Sequence, residues 1–173
     1  VALLDDFVEA LQKMGRRFYH FTDSRNIPSI QQRGLLPTSM INVLGLEVVT
    51  GGDAGSLYVD QQKGLDQLVS LSFCRSHPMA HVAKAEGRIE TIRILRICPS
   101  VLLRNGVLLA NQVATAKDAK IGPPNEMISL MDLEATYKWI DYRTPEGLQR
   151  RQAAEKWEAL IPGAISIDLI AGI

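Results

Sequence analysis

The first apolar rhythm in the chain is helical. Leu3, Leu4, Phe7, Val8, Leu11 and Met14 recur at spacings of three and four residues, which places them on one face of a helix that Gly15 ends. The rhythm then changes to two. Phe18 to Thr22 alternates aromatic and polar side chains, the pattern of a strand with two unlike faces. Thr22 or Asp23 can cap a helix carrying Ile27, Ile30 and Gln31, and Gly34 stands where its C-terminal glycine belongs. Leu35-Leu36-Pro37 leaves extended, because a proline keeps the residue before it out of the α region.

Residues 39–64 show no period and contain Gly45, Gly51, Gly52, Gly55 and Gly64, which predicts a long irregular loop. Its glycine-rich stretch matches no P-loop or dinucleotide fingerprint. Alternation returns at 69–73 as a strand, after which Pro78 opens a helix over 79–86. Residues 89–97 read as a strand with Ile92 and Ile94 on one face and Thr91 and Arg93 on the other. A turn or short helix over 101–106 and a short buried strand over 107–110 follow. Gly122-Pro123-Pro124 is a break, beyond which Met127, Leu130, Met131, Leu133 and Tyr137 predict one helix reaching Trp139 or Ile140. Thr144-Pro145-Glu146 supplies a cap, a first-turn proline and an early acid for another helix running to about 156. Two apolar strands, 157–161 and 166–170, close the chain as a hairpin or bent edge around Pro162-Gly163.

Composition narrows the class. The 173 residues are 46% hydrophobic and 22% charged, which suits a single α+β domain over 1–173, either complete or part of a longer protein. No apolar run approaches the ~18 residues of a membrane span. The formal charge is zero, from 19 basic and 19 acidic side chains. Nucleic acid is therefore not coated by bulk charge, and any contact with it must be local. Cys74 and Cys98 are too few for a zinc framework, three histidines without cysteine partners argue against a metal, and a reducing cytoplasm is the simplest setting.

Three residues carry candidate chemistry. His20 lies in the first strand. Arg75 lies at a strand end beside a helix N-terminus. Glu158 interrupts an apolar strand, and burying a carboxylate costs several kcal/mol unless it is paired or used. Glu155, on the preceding helix, is its rival. Lys138, Arg143, Arg150, Arg151 and Lys156 exceed the local acids Asp141, Glu146 and Glu155; they form either a solvated face or a basic lip for a phosphate backbone.

The order of these residues carries a resemblance. Tyr19-His20-Phe21-Thr22, Asn26-Ile27-Pro28-Ser29-Ile30 and Gly34-Leu35-Leu36 resemble the opening of the DarT family of DNA ADP-ribosyltransferases. Arg75-Ser76-His77-Pro78-Met79 is similar to the family's Arg-Ser-Pro-Met segment, with His77 as an insertion. Asn111-Gln112-Val113-Ala114 loosely resembles the family's Asp-x-Asn-Ala-Ala segment, keeping the Asn and an Ala but not the Asp, and Glu158-Ala159-Leu160-Ile161-Pro162 resembles the family's strand glutamate segment. The resemblance implies an α+β ADP-ribosyltransferase-like fold, a split mixed or antiparallel β-sheet core with flanking helices. It implies NAD as co-substrate, held by His20, Phe21, Thr22, Asn26, Gly34 and Arg75, with 39–66 folding over it. Glu158 and Arg75 would be catalytic, Glu158 through the ribose 2′-hydroxyl and Arg75 through an NAD phosphate or a base nitrogen losing its proton. A guanidinium is a poor general base. The substrate would be a base in single-stranded DNA. The protein would be a monomeric, cytoplasmic toxin, without a membrane role, whose antitoxin is an ADP-ribosyl hydrolase. A protein- or RNA-directed transferase of the same fold, including a tRNA 2′-phosphotransferase, and a non-catalytic binding module are the alternatives.

Overall fold

Helical periodicity and strand alternation resolve into separate layers in the computed structural model, which describes residues 3–52 and 54–173. Helix α1 (Leu3–Lys13) buries Phe7, Val8 and Leu11, with Asp5 and Asp6 in its first turn and Lys13 in its last, each charge opposing the helix dipole. Strand β1 (Phe18–Asp23) follows. Asp23, rather than Thr22, is the cap: its carboxylate accepts from the Arg25 N–H at 2.9 Å and starts a 3₁₀ turn. Helix α2 (Ile27–Arg33) continues from it and stops at Gly34, where φ is 77°. A Cβ at Gly34 would collide with the carbonyl oxygen of Ile165, so glycine lets Leu35 pair with Ile165 in an isolated bridge.

The expected loop over 39–64 contains two helices, α3 (Thr38–Val43) and α4 (Ala54–Lys63). Helix α3 buries none of its residues, so no apolar stripe marked it in the sequence. Asp53, within the glycine-rich stretch, lies outside the described residues. Strand β2 (Leu68–Ser72), helix α5 (Pro78–Ala85), strand β3 (Ile92–Ile97) and strand β4 (Leu108–Ala110) then follow. On β3 the deeply buried pair is Leu95 and Ile97, while Ile92 and Ile94 are half-buried. Register explains the difference, because Ile97 lies opposite Phe18 and Leu95 opposite His20.

Two further expectations change. Gly122 belongs to a short strand, β5 (Ile121–Gly122), before helix α6 (Pro124–Ile128). The single helix expected through Tyr137 is two, because Asp132 caps a separate α7 (Leu133–Tyr137) through the Ala135 N–H at 3.0 Å. Helix α8 (Pro145–Ala154), capped by Thr144, leads into β6 (Glu158–Pro162). The closing segments are not a hairpin. Strand β6 pairs with β2 and β4, whereas β7 (Ile170–Ala171) pairs with β3 at the far edge.

The sheet order is β5-β4-β6-β2-β1-β3-β7, and every pairing is antiparallel. Its weak point is central. Strands β1 and β3 share six register pairs, but β1 and β2 share one, Tyr19 with Ser72. One face carries the main core, where Phe18, Leu71, Leu109, Ala159 and Ile161 pack together. Phe18 and Phe73 meet edge to face across the seam at 4.9 Å. The opposite face holds a smaller cluster of Leu65, Ala110, Ala114 and Leu160. Among the described residues no helix is long and apolar enough to cross a membrane.

Candidate active site

Where β1 and β2 diverge, a cavity of about 630 Å³ opens, lined by residues that include His20, Asn26, Asp60, Ser70, His77 and Glu158. Glu158 begins β6, and its register with Ser72 and Ala110 turns its side chain away from the main core. It is 8% exposed. Its Oε2 accepts from the Ser70 hydroxyl at 3.1 Å and the Ala114 backbone N–H at 3.0 Å. Its Oε1 lies 3.4 Å from Nε2 of the buried His77. The cavity beside the seam thus holds a carboxylate with one oxygen fixed by two donors, which orients the second.

His20 fills the gap in the ladder. Its Nδ1 lies 3.0 Å from the Ser70 carbonyl oxygen; an oxygen that can only accept makes Nδ1 the protonated nitrogen and leaves Nε2 a lone pair. Burial lowers the His20 pKa, and the Ser70 carbonyl opposes that shift, so the neutral ring is favoured. Phe21 stacks near both imidazoles, with ring centroids 6.4 Å from His20 and 6.1 Å from His77.

Asn26 lines the cavity but its amide is engaged. Its Nδ2 donates to Thr22 Oγ1 at 3.0 Å and Val49 O at 2.7 Å, and its Oδ1 accepts from Val49 N at 2.8 Å. Arg88 donates to the Gly51 carbonyl nearby. These contacts lay residues 46–52 along the cavity wall. Gly34 also lines the cavity, beside its contact with Ile165. Asp60, on α4, has its pKa raised to about 6, first by burial and then by repulsion from Glu158 and Asp66.

Arg75 stands apart. It is exposed and lines a second cleft of about 410 Å³ with Arg16, Arg17, Lys138, Trp139 and Arg151. Tyr19 lines both cavities and joins them. Of the expected basic lip, Lys138 and Arg151 reach this cleft. Arg150 instead pairs with Asp132 at 2.6 Å and Glu134 at 2.7 Å, and Arg143 pairs with Asp141 at 2.8 Å. Glu155 bonds Arg151 at 2.9 Å and lines neither cavity.

Sequence reading missed Ser70, Asp60 and the role of His77. Ser70 was visible as the polar face of an alternating strand. His77 showed itself in the sequence only as the residue before a helix-opening proline.

A split antiparallel sheet whose seam holds a histidine and a strand glutamate defines the ADP-ribosyltransferase class. The family model described as "ssDNA thymidine ADP-ribosyltransferase, DarT" matches residues 19–173, and the chain belongs to that family. Solved relatives share the fold. Thermosipho africanus DarTG, in complex with ADP-ribose, is 19% identical with a TM-score of 0.66, over 90% of this chain and 43% of that one. Thermus sp. 2.9 DarT, in complex with ADP-ribosylated ssDNA, is 17% identical with a TM-score of 0.59, over 89% of this chain and 78% of that one. The same protein in complex with NAD+ is 18% identical, with a TM-score of 0.58 over 89% and 78%. No curated protein gives a significant match.

Proposed function

We propose that this protein transfers ADP-ribose from NAD to a thymine base of single-stranded DNA. The supporting observation is Glu158, fixed through Oε2 at the seam where His20 presents a free nitrogen. Breaking the nicotinamide–ribose bond leaves its electron pair on nicotinamide and positive charge on the ribose. Glu158 Oε1, accepting from the ribose 2′-hydroxyl, stabilises that charge as it develops. His20 Nε2 accepts from a ribose hydroxyl, and backbone groups at Phe21 and Thr22 hold the carboxamide. Asn26 acts by holding residues 46–52 over the dinucleotide, and Gly34 by allowing the close approach to Ile165. Arg75, in the cleft beyond Tyr19, serves the base rather than the NAD phosphates, stabilising the thymine nitrogen as it releases its proton to water and its lone pair bonds to the ribose carbon that nicotinamide leaves.

The second cleft suits the DNA strand. Lys138, Arg16 and Arg17 meet phosphates, while Trp139, 72% exposed, offers a stacking surface. Single strands fit this arrangement because a base edge inside a duplex is out of reach. The protein acts as a monomeric toxin of the cytoplasm, and a separate hydrolase acts as antitoxin by removing the mark. The test is incubation with labelled NAD and separate pools of single-stranded DNA, duplex DNA, RNA and protein. Label enters single-stranded DNA containing thymine. Label in RNA or protein alone would reassign the substrate, and absence of NAD turnover would leave a binding module.

A further inference from the structure

His77 is an unusual helix cap. Its Nδ1 accepts from the Met79 N–H at 3.2 Å at the start of α5, a place where serine, threonine, aspartate or asparagine is the rule. Accepting that bond requires a lone pair on Nδ1, so the neutral ring carries its proton on Nε2. That nitrogen is buried in a side chain 5% exposed and has no hydrogen-bond partner among the described residues, while Glu158 Oε1 lies 3.4 Å from it without forming a bond. A buried N–H left unmatched is costly, and a small shift of the ring or the carboxylate would bring the two into hydrogen-bond geometry. Phe21 lies nearly parallel to the ring, with centroids 6.1 Å apart.

We propose that His77 is the positioning residue for Glu158: the helix cap fixes its tautomer and thereby aims Nε2–H at Oε1, holding that oxygen toward the ribose. The inference rests on the transferase reading. Asparagine and glutamine divide the two functions of the ring. In His77→Asn the amide oxygen stands where Nδ1 was and keeps the cap, but the shorter side chain cannot reach Glu158. The longer amide of His77→Gln reaches Glu158 and weakens the cap.

The test combines kinetics, melting and histidine ¹⁵N spectra of the whole chain. His77→Asn keeps the melting temperature and NAD affinity near wild type while kcat falls roughly 10- to 100-fold, the effect of a small misplacement of a reacting group. His77→Gln melts lower and regains most of kcat. The ¹⁵N spectrum of the wild-type neutral ring shows the Nε2–H tautomer. Full activity in His77→Asn, or kcat that simply follows melting temperature in both variants, reduces His77 to a cap and overturns the proposal, as does an Nδ1–H tautomer. If the wild type turns over no NAD, the transferase reading fails, while the tautomer still decides whether Nε2–H is aimed at the carboxylate.

Discussion

Asn26 and Val49 bind each other twice, through Nδ2 to the Val49 oxygen at 2.7 Å and from the Val49 nitrogen to Oδ1 at 2.8 Å. The side-chain amide imitates a strand edge, so a segment without a strand of its own is laid against the turn that follows β1. Asn26→Ala removes both bonds and the one to Thr22, leaving groups that need partners. Stability falls by about 1–3 kcal/mol, and the thermal shift produced by NAD shrinks. Melting curves with and without NAD measure both, and an undiminished NAD shift would free residues 46–52 from any part in binding.

Glu158 and Glu155 separate cleanly. Glu158→Gln can still accept from Ser70 and Ala114 through its amide oxygen, so the fold survives and NAD binds. The rate falls roughly 100- to 1,000-fold, as when a group aimed at the transition state is removed. Glu155→Gln weakens a half-buried pair with Arg151, changing stability by no more than about 1 kcal/mol and the rate little. An inactive Glu155→Gln beside an active Glu158→Gln would reverse the assignment.

Lys138 and Trp139 divide from Arg150 in the same way. Lys138→Gln with Trp139→Ala weakens single-stranded DNA binding and flattens its salt dependence, because one phosphate contact and one stacking surface are lost. Arg150→Gln breaks the pairs with Asp132 and Glu134, so its effect falls on melting temperature. Fluorescence anisotropy on a labelled oligonucleotide, set beside thermal melts, reads the two effects separately. Comparable DNA losses in both variants would extend the binding surface to α8.

Asp60 gives the pH dependence. Its folded pKa of about 6 stands above the ordinary value of 3.8, so the folded protein holds this proton more tightly than the unfolded chain. Stability from this group therefore falls as pH rises from about 4 to about 6 and stays lost above that. Asp60→Asn removes the penalty. Because solvent screens a half-buried group, the gain is on the order of 2 kcal/mol at pH 7.5 and about half of that at pH 5. Melting at both pH values tests it; an equal gain at each would place the cause outside titration.

The readable parts of the sequence were those where one local rule acted alone. The strand at Phe18, the turn at Gly34, the caps at Asp23 and Thr144 and the carboxylate at Glu158 each carry their signal in adjacent residues. Helix α3 was hidden because it buries nothing, and the break before α7 because Asp132 caps a helix inside a continuous apolar rhythm. The partner of β7 depends on residues far along the chain, so the closing segments read as neighbours when they lie at different places in the sheet. In the site, the residue types were legible; the separation of Arg75 into another cleft was not, since it depends on which elements gather around the end of β2.

The lone Tyr19–Ser72 pair makes the sheet two leaves on a hinge. On one leaf stands His20, on the other Glu158, and on the core side the Phe18–Phe73 contact spans the fold line. In the transfer proposed above, a dinucleotide held by both residues would bridge the two leaves. The substrate of the proposed reaction would therefore lie where the sheet has fewest rungs of its own.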